Sequence, residues 1–416
     1  CMNACPYDAL YINPETNTAH KCNMCNHRLE VGLEPSCQIV CPTEAIKIGD
    51  LDDPTSEISR IIARDDVAVR APEQNTKPKV YYRGADQASL DPTRTALAND
   101  GMIWADTTPD HRSIPVALGT KPTDEYGIAA RTAYTTAHKM TWKEKVSGYF
   151  VTKAIAAGTM LMAALLVTLG NAGEQAAVGV VPPMIAGVFL AFTGVLLIAD
   201  LKQPGRFHYL LTKGNWESWL VKGAYILMVF AALTAVWWIG GLAEADGLLE
   251  ILALPTAIFA FGVAGYTAFL FAQCEGRDLW QSPLLLPLLL ARAVVAGGAV
   301  YAILDLFMAI PDADAVRWAF LGGLLAVALL TYAETTSHAN RHVELAVHNM
   351  LHGPRAAWFW NGVFTGVVVP TAALIVDRSA DVSSPALAAV AAIMALIGMF
   401  FAESAFVRAG QSVPLS

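Results

Sequence analysis

Six of the seven cysteines lie within the first 41 residues, in spacings that suit ligands of iron–sulfur clusters. They are Cys1, Cys5, Cys22, Cys25, Cys37 and Cys41. A Cys-x2-Cys pair, a third cysteine and a Cys-x3-Cys-Pro step form the pattern by which a chain binds [4Fe–4S] clusters, and the cysteine before proline serves a neighbouring cluster. The chemistry that these residues predict is therefore the transfer of electrons one at a time.

The number of ligands indicates that these cysteines do not complete their clusters alone. Cys22, Cys25 and Cys37 supply three thiolates to one cluster, and Cys41 ligates a second. Cys5 also precedes a proline, and Cys1 is the third ligand of its own group. The Cys-x2-Cys pair expected before Cys1 is missing and the chain begins with Cys, so we expect a longer native chain.

A disulfide set and a structural zinc site are the two alternatives for these cysteines. Disulfides are disfavoured because the spacings match a cluster motif and the chain is not a small secreted domain. Zinc suits a Cys-x2-Cys pair, but the two Cys-x3-Cys-Pro repeats favour iron–sulfur. Cys274 stands apart near the end of an apolar segment, and we interpret it as a buried small residue.

The composition indicates that most of the chain lies in a membrane. Of its 416 residues 55% are hydrophobic and 15% are charged, which is more apolar than an average soluble domain. The net charge of −8 gives no indication of nucleic-acid binding. Apolar stretches of about 20 residues, long enough to cross a bilayer, recur after residue 145. They cover approximately 149–170, 181–201, 218–241, 249–273, 284–308, 316–336, 357–376 and 385–407.

Two parts of the chain resemble known families. Residues 1–9 and the run from Lys21 to Ile46 resemble the last two cysteine groups of the four-cluster ferredoxin subunits in complex iron–sulfur molybdoenzymes, such as dimethyl sulfoxide, polysulfide and tetrathionate reductases. Residues 138–416 resemble the eight-helix NrfD/polysulfide-reductase membrane subunit. The segments that carry this second resemblance include 199–207, 216–219, 279–283 and 409–414. The chain thus resembles a fusion of the two subunits, truncated at its amino terminus.

The apolar stretches and the resemblance together predict the fold class and the domains. We expect a mainly α membrane protein, in which an eight-transmembrane-helix bundle follows a partial ferredoxin-like α+β iron–sulfur domain. Residues 1–50 are the ferredoxin part, with β-prone runs at 9–12 and 45–48, and residues 146–416 are the membrane domain. Residues 51–145 are interpreted as an extended connector that wraps the ferredoxin part or a partner, with one helix near Ser56–Arg64.

The resemblance implies an electron-transfer and membrane-anchor subunit. Electrons would pass between [4Fe–4S] clusters and a membrane quinone, menaquinone or ubiquinone, on behalf of a molybdopterin-containing catalytic subunit. The catalytic centre would lie on that partner, and this chain would contribute the oxidation or reduction of quinol within the lipid.

Two other functions remain open at this point. The chain could be the iron–sulfur and membrane part of a multihaem-cytochrome-linked quinone oxidoreductase, of the nitrite reductase or alternative complex III type. It contains no Cys-x-x-Cys-His haem-attachment motif, so no haem is expected here and the haems would lie on a partner. A transporter with a sensing ferredoxin part is disfavoured, because the sequence lacks the short, broken and paired helices that are typical of transporters.

The resemblance also implies residues for a quinone site. Tyr266 matches a tyrosine beside the quinone, and His138 matches a histidine near its headgroup. The alternatives are a packed tyrosine and a solvated linker histidine. Arg292, Glu334 and Glu403 are charges within spans, which are functional candidates by default, and we predict that they form a proton path. Alternatively, Arg292 pairs with Glu334 or Glu403 only to hold helices together.

Four histidines follow the sixth apolar stretch, at His338, His342, His348 and His352, and form two pairs with helical i,i+4 spacing. Haem-binding histidines would lie in mid-span on facing helices, whereas these four share one polar stretch. We therefore predict an amphipathic surface helix.

The distribution of lysine and arginine predicts the orientation. The far-side loops hold only Arg317 and Arg378, while the segments on the side of the first 145 residues hold most of the other cations near the spans. Because cytoplasmic loops carry the Lys and Arg excess, we expect an inner (cytoplasmic) membrane protein with its iron–sulfur domain on the cytoplasmic side. The alternative is a periplasmic iron–sulfur domain, with a twin-arginine signal on the catalytic partner.

Overall fold

The computed structural model describes residues 5, 7, 9–12, 18–86, 90, 140–201, 203–337, 339–379 and 384–413. The chain divides into two units, residues 1–140 with Ser416, and residues 141–415. Cys1, His138 and His338, which the sequence analysis singles out, lie outside the described residues.

In the part of the N-terminal unit that the structure describes, strands form two short antiparallel pairings. Strand β1 (Tyr11–Ile12) pairs antiparallel with β2 (Ala19–His20). Strand β3 (Val67–Ala68) pairs antiparallel with β4 (Tyr82–Arg83). The β-prone run at 9–12 is thus a strand only in its second half.

Three helices lie between these pairings: α1 (Asn26–Leu29), α2 (Ser36–Val40) and α3 (Glu57–Arg64). The last of them confirms the helix predicted near Ser56–Arg64. Ser56 caps it, since its side chain accepts a hydrogen bond of 3.2 Å from the Ser59 backbone N–H.

The predicted strand at 45–48 is wrong. The Ala45 N–H donates to the Cys41 Sγ at 3.0 Å, and the Ile48 N–H donates to the Gln38 Oε1 at 3.1 Å. Because the side chains of Cys41 and Gln38 accept these hydrogen bonds, residues 45–48 form a loop with no strand partner.

Among the described residues of the second unit, eight helices are long and apolar enough to cross a membrane, and they confirm the predicted number of spans. They are α4 (Glu144–Thr168), α5 (Gln175–Asp200), α6 (Trp219–Leu242), α7 (Asp246–Ala272), α8 (Leu285–Leu304), α9 (Ala313–Thr336), α11 (Ala356–Asp377) and α12 (Pro385–Ala409). Helix α10 (Arg341–His352) lies between the sixth and seventh spans. A π-helical turn opens α5 at Gln175–Val180 and another interrupts α11 at Phe364–Val368.

Helices α4 and α8 form the centre of the bundle. The most apolar stretch of α4 is 83% buried and that of α8 is 67% buried, against 22–39% for the other six spans. A Cβ atom on Gly158 of α4 would lie 2.0 Å from the Ala293 carbonyl oxygen of α8. The two central helices therefore pack backbone against backbone, as small residues allow in lipid.

Candidate functional site

The four described cysteines from Cys22 to Cys41 surround α1 and α2. Met24 and Cys25 have left-handed backbones, with φ of 58° and 54°, and this turn directs the Met24 N–H toward the Cys22 Sγ at 3.4 Å. Ala45 donates to the Cys41 Sγ in the same way. Backbone N–H groups that face sulfur atoms are a feature of cluster-binding loops, because they help to set the reduction potential.

Cys22, Cys25 and Cys37 share one electrostatic neighbourhood. Burial raises the pKa of the Cys37 thiol, and the nearby Cys25 and Cys22 sulfurs raise it further through like-charge repulsion. A bound metal acts in the opposite sense, because it removes the proton from a coordinating thiol.

These thiols are compatible with an iron–sulfur cluster. Cys5, Cys22, Cys25, Cys37 and Cys41 are all free, so no disulfide joins them to one another. Among the described residues, no three His, Cys, Asp or Glu side chains come close enough to hold a single metal ion. A four-iron cube holds its ligand sulfurs farther apart than one ion does, and soft thiolates are the ligands it uses.

A cavity of about 340 Å³ lies among the first four spans. Its walls come from the start of α4, the end of α5, the start of α6 and the end of α7. These ends all lie on the side where the chain enters its first span at Glu144, which we call the near side. The lining is mostly apolar, and the exposed Lys145 and half-buried Asp200 add charge to it.

Two buried tyrosines, Tyr149 and Tyr266, line this cavity. The Tyr149 hydroxyl donates to that of Tyr266 at 2.5 Å and lies 2.5 Å from the Thr267 Oγ1. The Tyr266 ring rests on Gly223, where a Cβ atom would come within 2.2 Å of it. Tyr266 is therefore packed and also lines the cavity.

Lys153 is a buried lysine behind these tyrosines, and the sequence analysis missed it. Its side chain is 1% exposed. The Nζ donates to the Ala264 carbonyl oxygen at 2.9 Å and to the Thr267 Oγ1 at 2.5 Å. It also lies 5.3 Å from the Tyr149 ring centre and 5.2 Å from that of Tyr266, within cation–π range.

The signal for Lys153 was present, since a lysine within an apolar span is a functional candidate by default. A span predicted to begin at residue 149 placed Lys153 one turn inside the membrane, where lysine side chains commonly reach back to water. The helix begins at Glu144 instead, so Lys153 lies deeper.

The predicted charges Arg292, Glu334 and Glu403 are all buried, and the first and last form an ion pair. The Arg292 Nη1 lies 2.7 Å from the Glu403 Oε1. The Glu334 Oε2 accepts a hydrogen bond of 2.5 Å from the Ser282 hydroxyl, and the charge of Arg292 also acts on Glu334. Glu403 in turn interacts electrostatically with Lys153. We call Lys153, Arg292, Glu334 and Glu403 the polar layer.

The segment after His138 approaches the cavity at Trp142, whose side chain lines it. The backbone N–H groups of Thr141 and Trp142 each donate to the Gln411 Oε1 at 3.0 Å. Gln411, which lies in the segment 409–414 that carries part of the family resemblance, thus holds the backbone just before the first span in place.

The predicted surface helix with histidines is α10. His342 is buried, with its Nδ1 3.3 Å from the Asp278 Oδ2. His348 and His352 are exposed, with ring centres 5.1 Å apart. The alternation of buried and exposed positions confirms an amphipathic helix outside the spans.

Comparisons with known proteins match both parts of the chain. Residues 134–414 match the family described as "Polysulphide reductase, NrfD", and residues 1–51 match the 4Fe-4S dicluster domain.

Three curated relatives are similar to the chain over a short stretch. A tetrathionate reductase subunit of Salmonella typhimurium is 49% identical over 94 residues, which are 22% of this chain and 38% of that protein. A polysulfide reductase component of Wolinella succinogenes is 43% identical over 82 residues, 20% of this chain and 43% of that protein. The arsenate respiratory reductase iron-sulfur subunit of a Shewanella species is 48% identical over 71 residues, 17% of this chain and 30% of that protein.

The matched stretch is at most about two fifths of the length of each of these relatives. The membrane family, in contrast, covers more than half of the present chain. The chain belongs to the NrfD polysulphide reductase family and joins its membrane domain to a 4Fe-4S dicluster domain.

Proposed function

We propose that the chain relays electrons between [4Fe–4S] clusters and a membrane quinone that binds in the near-side cavity. The observation that carries this proposal is the cavity itself, which combines apolar walls with two tyrosines whose hydroxyl groups are hydrogen-bonded to each other. Sites for small ligands typically combine an apolar lining with a few convergent polar groups.

The chemistry of the wall suits a quinone. The flat ring and tail of a quinone need an apolar surface, and each carbonyl oxygen needs a hydrogen-bond donor. Because the Tyr149 hydroxyl donates to that of Tyr266, the Tyr266 O–H can donate to a carbonyl oxygen in the cavity. The cation of Lys153 lies behind both rings and favours negative charge on that oxygen.

The clusters are proposed to be bound as the spacing predicts. Cys22, Cys25 and Cys37 would hold one cluster, and Cys41 would reach a second. Cys5 would serve another cluster from its own Cys-Pro, with Cys1 as a ligand of its group. Such clusters carry one electron at a time. A quinone gains or loses two electrons in total, so it would exchange them with a cluster in two single-electron steps.

Arg292, Glu334 and Glu403 are proposed to handle the protons of the quinone, with His138 near the headgroup. The Glu403 Oε2 is buried and has no hydrogen-bond partner among the described residues, so this oxygen is available to hold a proton. General acids and bases of this kind must lie close to the reacting group or to an intervening relay.

The partner is proposed to be a molybdopterin-containing catalytic subunit. The support is that the relatives are components of tetrathionate and polysulfide reductases by name. We also propose that the protein lies in the cytoplasmic membrane with its iron–sulfur domain in the cytoplasm, because the near-side segments carry most of the Lys and Arg.

The cavity can be tested by filling it. Ala224 of α6 lines the cavity, whereas Ala232 of the same helix is exposed on the outer surface. In the complex purified from its native membrane without oxygen, a short-chain quinol should reduce the iron–sulfur clusters, observed by EPR. Ala224→Trp should block that reduction and Ala232→Trp should not. Equal reduction in the Ala224→Trp complex would place the quinone elsewhere.

A further inference from the structure

The polar layer lies entirely in the near half of the membrane domain. Lys153 follows the near-side start of α4 at Glu144, and Arg292 follows the near-side start of α8 at Leu285. Glu403 and Glu334 precede the near-side ends of their spans. At 1.5 Å of rise per residue, all four lie within about 14 Å of the near-side helix ends.

A glycine lies five residues deeper than each of three members of this layer, on the same helix. The pairs are Lys153 and Gly158, Arg292 and Gly297, and Glu403 and Gly398.

These glycines make backbone contacts with neighbouring helices. A Cβ atom on Gly158 would lie 2.0 Å from the Ala293 carbonyl oxygen, and one on Gly297 would lie 2.1 Å from the Gly158 oxygen. A Cβ atom on Gly398 would lie 2.1 Å from the Gly366 nitrogen of α11. Helix α4 is therefore in direct backbone contact with α8, and α11 with α12, immediately below the polar layer, with no gap for a side chain within either pair.

Among the described residues of the spans, acidic and basic side chains reappear only at the far side. There Arg317 contacts the Asp305 Oδ2 at 2.8 Å and the Asp377 Oδ2 at 3.8 Å. Asp305 lies about 20 Å beyond Arg292 along the helix axis. Between the two charged layers, the described residues of the spans include no Asp, Glu, Lys, Arg or His. Tyr301, a phenol in this zone, donates its hydroxyl proton to the Ala177 carbonyl oxygen.

We infer that the cavity exchanges protons with the near side only, so that quinone turnover at this chain moves no protons across the membrane. The inference rests on the proposed function. Oxidation of one quinol to quinone releases two electrons and two protons. The electrons pass to the N-terminal clusters, and the protons leave at the near side. The tight backbone contacts below the polar layer separate the protons and the electrons from the far side.

The experiment uses the complex with its native partner subunits in liposomes, sorted for vesicles that expose the iron–sulfur domain. External ferricyanide, which does not cross the membrane, takes one electron per molecule from that domain, and a short-chain quinol is the donor. Each quinol should reduce two ferricyanide ions and release two protons to the external medium. Dyes for the internal pH and for the membrane potential should show no change. Acidification of the interior, or a potential that is positive inside, would overturn the inference.

Two amide variants add a test of the route. Glu334→Gln in the polar layer should slow proton release, whereas Asp305→Asn in the far-side layer should leave its rate and its location unchanged. If proton release is slower in Asp305→Asn but proceeds at the wild-type rate in Glu334→Gln, the result would contradict one-sided exchange. A complex that passes electrons from dithionite to ferricyanide but not from quinol would instead overturn the proposed function, and with it this inference.

Discussion

The Nζ of Lys153 lies 5.2 Å from the centre of the Tyr266 ring and donates to the neighbouring Thr267 hydroxyl. No carboxylate among the described residues comes within ion-pair distance of it, although Glu403 acts on it from farther away. The amine of Lys153 therefore faces the tyrosine pair at the cavity wall. This arrangement connects the wall of the cavity to the polar layer.

The Tyr266 hydroxyl is predicted to be a hydrogen-bond donor to the quinone. Tyr266→Phe keeps the ring against Gly223 but removes the O–H, so quinol-linked cluster reduction should slow roughly 10- to 150-fold, as expected for a hydrogen bond worth about 1.5–3 kcal/mol. The rate is measured by stopped-flow absorbance, and iron content should not change. Tyr301→Phe, which removes a buried far-side hydroxyl, is the control. Wild-type rates in Tyr266→Phe would remove this residue from the site.

Lys153 is predicted to support turnover through its charge. Lys153→Met keeps the approximate length of the side chain and removes its amine. Quinol oxidation should slow about tenfold or more, because each 1.36 kcal/mol lost from the transition state costs a factor of ten.

The control for Lys153 is Lys222→Met, since the Nζ of Lys222 lies 4.9 Å from the Trp219 ring near the same membrane surface but not in the cavity wall. Steady-state kinetics and the thermal midpoint in detergent should be measured for both variants. If Lys153→Met lowers the midpoint and leaves the rate per folded molecule intact, the lysine serves only the fold.

The sequence predicted those features that depend on composition or on local spacing. Eight spans follow from stretches of about 20 apolar residues, and the cysteine groups follow from their intervals. The pairing of Arg292 with Glu403 rather than Glu334 depends on how α8, α9 and α12 are rotated against one another, which hydropathy does not specify. The strand expected at 45–48 failed for a related reason, because its donors bond to Cys41 and Gln38 across the loop.

Loss of one member of the buried Arg292–Glu403 pair is predicted to destabilise the protein strongly, whereas replacement of both members by apolar residues is predicted to have little effect on stability. Arg292→Leu leaves an uncompensated carboxylate and should destabilise the membrane domain by about 3–5 kcal/mol, whereas the double variant with Glu403→Leu should recover most of that loss. Thermal unfolding in detergent compares the three proteins. A double variant that is as unstable as the single one would show that the two side chains do not act as a pair.

The cysteine groups are predicted to serve different clusters. Cys22→Ser should alter one cluster and Cys41→Ser another, as seen in the EPR spectra of the reduced protein and in its iron content. Cys274→Ser is the control, because burial raises the pKa of the Cys274 thiol to about 11, which keeps it neutral at pH 7. Zinc without iron in protein purified anaerobically would contradict the cluster assignment altogether.

The orientation is predicted from the near-side cations. They are Lys139, Lys143, Lys145, Lys202, Arg206, Lys213, Lys222, Arg277, Arg341, Arg355 and Arg408. Three of them have structural roles that could explain their presence: Arg408 contacts Glu144, Arg277 donates to the Val413 carbonyl oxygen and Lys145 donates to the Ala199 carbonyl oxygen. The remaining cations still outnumber Arg317 and Arg378 on the far side, so the Lys and Arg excess predicts a cytoplasmic near side.

Because eight spans return the chain to the side where it entered, Ser416 should also be cytoplasmic. Green fluorescent protein fused after Ser416 should therefore fluoresce, while alkaline phosphatase fused at the same position should stay inactive, since that enzyme matures only where disulfides form. A fusion after Gly173, in the loop between the first two spans, should give the opposite pair of results. Active phosphatase after Ser416 together with inactive phosphatase after Gly173 would reverse the orientation and place the cavity, and its protons, on the outer side.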